Sequence, residues 1–264
     1  AETLASFEND DNYNMYSFSA GAINFLALNP NGGTLADIKA RQAVINALNL
    51  EEIVIGAFGS ETLSAVANSV QCANGKYYNP DTQNYTQDVE TAKQLIEETG
   101  LADKTIRIMF NSARANNEEM AVMIQSQLNA VGLTCEINSM ETSGYFTAYF
   151  RESDAWDLAL MSVDSMGDPG NYAGMYDSSR SGANMAIPEE VSNLWSVLDQ
   201  ETDPAKCQEL VDQINAETAG PLSPLLMLTT SLWPSPMFVA LMKLTTLRHR
   251  CSVIGWTSIL LSNR

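Results

Sequence analysis

The chain has 264 residues and carries 14 Lys plus Arg against 32 Asp plus Glu, a net charge of -18. That length buries a sizeable core, and 45% hydrophobic residues argue against disorder. So acidic a chain repels nucleic acid and anionic membrane surfaces, and a single His excludes any multi-His metal site.

The N-terminal AETLASFEND is polar and acidic and contains no signal peptide. The chain is therefore either cytosolic or has an export signal outside these residues. AINFLALN (22–29) reads as a strand, and Pro30 to Gly33 as a turn. Thr34 and Asp37 form a variant capping box for a helix with Ile38, Ala43, Val44, Ala47 and Leu48 on one face. A second helix covers about Glu51 to Ala57. Residues 58–87 show little periodicity and many turn formers, so they read as a long irregular loop.

From Asp88 the order becomes regular. A helix runs to Glu98 and stops at Gly100. Strand 105–110 follows, then a helix over about 117–131, strand 133–137 and a helix near 142–151. DLALMSV (157–163) is the continuous apolar run of a strand buried on both faces, with Asp157 at its entry. The alternation predicts an α/β fold with a largely parallel sheet. Pro188 opens a helix carrying Val191, Leu194, Trp195 and Leu198, and Asp203-Pro204 opens another. LSPLLML reads as a further strand. No stretch is long enough to span a bilayer; 221–228 and 237–247 are interrupted by Pro224 and Lys243.

Cys72, Cys135, Cys207 and Cys251 lie 63, 72 and 44 residues apart, which gives no zinc-type pairing. They read as separate buried thiols, with one long-range disulfide as the alternative in an exported chain. No GxSxG, P-loop or dinucleotide fingerprint is present, so the sequence calls for no cofactor and no enzyme activity. His249 would be the only imidazole available to a hydrolase, and it lies far in sequence from every candidate site.

In α/β sheets ligands bind beyond the carboxyl ends of the strands. Strand 105–110 runs into Asn111, Ser112, Ala113 and Arg114. Strand 157–163 runs into Asp164 and on to Asp168-Pro169. Arg114 and Asp164 would suit a ligand with a carboxylate at one end and an amine at the other. Each also has a plain alternative, Arg114 as a solvated loop charge and Asp164 as a turn cap.

LADIKARQAVINALNLEEIV (35–54) resembles the signature of dipeptide/oligopeptide-type solute-binding proteins of ABC importers, with Asp37, Arg41, Gln42 and Ala43 matching. Asn49-Leu50 stands where that family usually has Asp-Arg. YTQDVETAKQLIEETGL (85–101), EEMAVMIQSQLNAVGLTCEI (118–137), the loop 164–169, QETDPAKCQELVDQINAE (200–217) and PLSPLLMLTTSLW (221–233) extend the resemblance over about 22–233.

The resemblance implies a type II periplasmic-binding-protein fold, an extracytoplasmic location and no catalysis. It implies a peptide or related small solute as ligand, since members also take nickel complexes, haem and sugars, and an ABC permease as partner. Membrane contact would then come only through the transporter or a lipid anchor outside these residues. A binding lobe reused as a sensor or docking module is the alternative.

The ligand amine is expected at Asp164 or Asp168. The carboxylate is expected at Asn111, where an ungapped match falls, or at Arg114 three residues on. Family chains are about twice this long. Residues 1–21 are thus expected to be a crossover from a missing first lobe, 22–182 the C-terminal lobe, and 183–233 a return segment of the first lobe. On that reading, about 184–233 would lack much of its packing partner.

Residues 218–264 contain no Asp or Glu and four basic residues, +4 against -22 for 1–217. Codons exist for 235–260 that, read in another frame, encode PDVRGFDETDNIAASLFSDWLDKYP. That string is acidic like the rest of the chain and resembles the family's ending. The atypical tail 234–264 thus reads as a frameshift in the recorded gene after about Trp233, and His249 and Cys251 as no functional residues. Resequencing through the stop codon is expected to yield the acidic ending; a gene that confirms the basic tail refutes the frameshift.

Overall fold

The structure, a computed structural model, describes residues 13–14, 22–31, 33–58, 64–69, 71, 75–82, 86–152, 154–164, 189–219, 225–231 and 242–243. The strands are β1 (Tyr13–Asn14), β2 (Ala22–Leu28), β3 (Ser64–Val66), β4 (Thr105–Asn111), β5 (Thr134–Met140), β6 (Leu158–Asp164), β7 (Leu225–Ser231) and β8 (Met242–Lys243). The α-helices are α1 (Ile38–Ala47), α2 (Leu50–Phe58), α3 (Val89–Thr99), α4 (Asn117–Ala130), α5 (Thr142–Arg151), α6 (Glu189–Leu198) and α7 (Pro204–Ala219).

Six strands form one sheet in the order β3-β7-β2-β6-β4-β5, and β1 pairs with β8 apart from it. β4 is parallel to both β5 and β6. β2 runs antiparallel to β6 and β7, so the sheet is mixed rather than largely parallel. A parallel core fed by βαβ crossovers needs helices on both faces. Alternate residues of the central strands meet that need. Leu26, Leu28, Ile106, Ile108, Phe110, Leu158 and Leu160 enter one core, shared with α1 to α4. Phe25, Ala27, Met109 and Ala159 enter the other, with α5, α6 and α7.

Local chemistry sets the helix ends. α1 starts one turn later than the Thr34 capping box implies: its cap is Asp37, whose carboxylate accepts from the Lys39 N–H at 2.8 Å. Gly33–Leu35 is instead a short 3-10 turn. Arg41, only 8% exposed, donates Nη1 to the carbonyls of Leu35 and Ala36 and clamps that turn to α1. Asn49, where the family usually has Asp, caps α2 through its side chain on the Glu52 N–H. α3 is capped by Asp88 and closes at Gly100, whose φ of 63° lies in the left-handed region that glycine enters freely. Asp203 caps α7 ahead of Pro204, as the sequence predicts.

Two further expectations are corrected. The stretch read as an irregular loop contains the edge strand β3, which pairs with β7. And the described residues of 184–233 do not lack a packing partner. Val191, Trp195, Leu198, Cys207, Val211 and Ile214 are buried against Phe25, Met109, Tyr145 and Trp156, while β7 lies between β2 and β3. The physical reason is that β2 pairs with β6 along one edge and leaves its other edge for β7, while the helices cover the second face of the sheet.

The start of β6 is held by charge. Asp157 is fully buried and accepts from the Arg107 backbone N–H and Nε at 2.9 Å each, from Arg107 Nη2 at 3.2 Å and from the Thr34 N–H at 3.4 Å. Arg107 also donates Nη1 to the Asp154 carbonyl. Asp157 is therefore more than the strand-entry residue expected; it ties the 3-10 turn, β4 and β6 together. Asp157→Ala strands these donors and is expected to cost about 3 kcal/mol, read from urea unfolding.

Cys135 and Cys207 are buried and unpaired with each other, in line with separate thiols; Cys72 and Cys251 lie outside the described residues. Burial pushes the Cys135 thiol up to about 12. The neutral thiol is the favoured form, so very little thiolate is available at pH 8. Native Cys135 should resist maleimide at pH 8 and label promptly in urea, as followed by peptide mass mapping. Fast native labelling would contradict this burial.

Candidate functional site

Adjacent, parallel β4 and β6 end on the same edge of the sheet. Their register pairs Ile108 with Leu158 and Phe110 with Leu160. β4 continues one residue past that last pair, to Asn111, and β6 continues four, to Asp164. At the usual rise per residue, the backbone of Asp164 lies about 10 Å farther along the strand direction than that of Asn111. The structure thus brings Asn111 and Asp164 to one edge on neighbouring strands. The Asp164 side chain and all of Asp168 lie outside the described residues.

Asn111 is 4% exposed. Its Oδ1 accepts from the Ala113 N–H at 3.0 Å and from the Thr142 hydroxyl at 3.2 Å, and its backbone carbonyl takes the Arg114 N–H at 3.0 Å. Asn117 Nδ2 lies 3.5 Å from the same carbonyl. Arg114 itself is exposed in the turn between β4 and α4. Asn116 takes a left-handed φ of 66°, tolerable for Asn, and donates its amide to the Ala57 carbonyl at 2.8 Å, which anchors this turn to α2.

Two helices begin at this edge. α4 follows Asn116 and α5 follows Glu141, and neither cap makes a side-chain hydrogen bond to its helix. The parallel register sets Asn111 beside Met140, so the start of α5 falls next to the end of β4. Sequence reading found Asn111 and Arg114 but missed Thr142 and Asn117, which hold Asn111. The available signal was their place in the first turn of the helices that follow β5 and β4.

His249 lies outside the described residues. Among the described residues, no group of three or more His, Cys, Asp or Glu is placed to hold a metal ion. No described helix is long and apolar enough to cross a membrane.

The Escherichia coli K12 dipeptide-binding protein is 28% identical over 176 residues, 64% of this chain and 32% of that protein. The solved ABC transporter substrate-binding protein CtaP of Listeria monocytogenes superposes with a TM-score of 0.77 at 22% identity, over 87% of this chain and 48% of that one. The oligopeptide-binding protein AppA of Bacillus subtilis, solved with a nonapeptide, gives 0.73 at 20%, with the same two coverages. The aligned region is thus about a third of the length of the E. coli relative and about half of the solved chains, and the solved chains share this fold. The model for the middle region of bacterial extracellular solute-binding proteins, family 5, matches residues 1–186. That family is one of solute-binding proteins rather than enzymes, and this chain belongs to it.

Proposed function

We propose that this chain is the solute-binding component of an ABC importer, working outside the cytoplasm and taking a peptide or related small solute at the shared end of β4 and β6. The observation that carries the reading is the delivery of Asn111 and Asp164 to one edge by adjacent parallel strands. Asp164 or Asp168 holds the ligand's amine through a charge-assisted hydrogen bond, and Asn111 or Arg114 meets its acceptor end. The backbone offset of about 10 Å is the span of roughly three extended residues. In this reading residues 22–182 carry the binding loops, an ABC permease is the partner, and the tail from 234 takes no part.

The E. coli relative is named for dipeptides and the B. subtilis structure contains a nonapeptide, which supports a peptide ligand without fixing its length. NMR titration of the 264-residue chain with tri-alanine is expected to give weak but saturable binding. The separate variants Asp164→Asn and Asp168→Asn identify the amine partner: one of them should weaken tri-alanine at least about tenfold, as expected for loss of a charge-assisted contact. Unchanged binding in both would overturn the assignment, and absence of any peptide binding would overturn the reading.

A further inference from the structure

We infer that the Asn111 end of this edge takes an uncharged acceptor, an interior peptide carbonyl or a C-terminal amide, in preference to a free carboxylate. The inference rests on the peptide-binding reading above and names the ligand chemistry at one end of it.

The first argument is the orientation of the Asn111 amide. A backbone N–H can only donate, so the atom facing the Ala113 N–H must be the amide oxygen. The Thr142 hydroxyl lies against the same oxygen. With Oδ1 engaged twice, the amide is not free to turn over. Among the described residues no group accepts from Nδ2. The residue is 4% exposed, yet Nδ2 is not among the buried polar atoms left without a partner, so this fixed donor is the part of Asn111 that opens outward and can meet a ligand. It is a donor and it is neutral, and it therefore selects an acceptor without requiring charge.

The second argument is the local field. Helix N-termini ordinarily favour anions. Here each already carries its own: Glu118 and Glu119 lie in the first turn of α4, and Glu141 is the cap residue of α5. These are sequence neighbours of Asn117 and Thr142, the side chains that touch Asn111. Against three carboxylates stands one guanidinium, Arg114; all four groups are exposed and screened alike, so the local balance stays negative. A ligand carboxylate arriving at Asn111 meets a net negative surround and gains only a neutral donor. A carbonyl gains the same donor and meets no repulsion.

The test compares tri-alanine with tri-alanine amide on the 264-residue chain by NMR titration. The amide is expected to bind at least about fivefold tighter at low salt, the gap narrowing as salt rises. Because the whole chain is acidic, a cationic peptide could gain from its overall charge alone. Two triple variants separate the effects. E118Q/E119Q/E141Q removes three local carboxylates; E97Q/D103N/E152Q removes three from just before β4 and β6, at the opposite edge of the sheet. The local variant should erase most of the amide's advantage and the distant one should leave it. Equal responses, or a free acid that binds as well as the amide, overturn the inference. Asn111→Asp keeps an acceptor for Ala113 and Thr142 but removes the donor; it should still unfold cooperatively in urea, at some cost in midpoint for the buried charge, and lose the amide at least about fivefold. If wild-type chain binds neither peptide, the peptide reading itself falls, and this inference with it.

Discussion

The central strands of this protein are buried on both faces, and most of its organisation follows from that. β2, β6 and β4 send alternate side chains into two separate cores, so their interiors have little room for polar groups. Charge and hydrogen-bonding capacity are displaced to the strand ends. At the entry to β6, Asp157 and Arg107 use that capacity to fasten elements together. At the exit from β4, Asn111 sits beside two helix starts. One edge is closed by internal partners, and the other retains a donor that no described group satisfies.

Much of this was legible in the sequence, for identifiable reasons. α3, β4, α4, β5, α5 and β6 follow one another with clean periods, α3 adds a strong cap and a glycine stop, and local signals of that kind survive folding. β3 was not legible: three residues among turn formers have no period, and their pairing with β7 joins segments far apart in the chain. The antiparallel placement of β2 was hidden for the same reason. A strand buried on both faces reads identically in either direction.

The candidate binding edge was legible only in part. Asn111 and Asp164 could be found because they are the polar residues that end two apolar runs. The support beneath Asn111 could not. The contact to Thr142 spans 31 residues and exists because β4 and β5 pair in parallel with Asn111 level with Met140. The buried role of Asp157 was missed for a related reason. An aspartate before a strand looks solvated until Arg107, two residues into β4, is seen to fold back upon it.

The outer border of the sheet has a further consequence. Among the described residues β5 pairs on one side only, and Thr134, Glu136, Asn138 and Ser139 along it are exposed. An open row of backbone donors and acceptors invites another strand, and a long apolar border would recruit one from a second molecule. This border resists such recruitment: a stray chain docking there would have to strip water from a carboxylate and three polar side chains before gaining any apolar contact. At the far side β3 is only three residues long, too short a template for self-templated stacking. A sheet proposed to receive a ligand at the end of its strands is thus guarded against stray strands along its flanks.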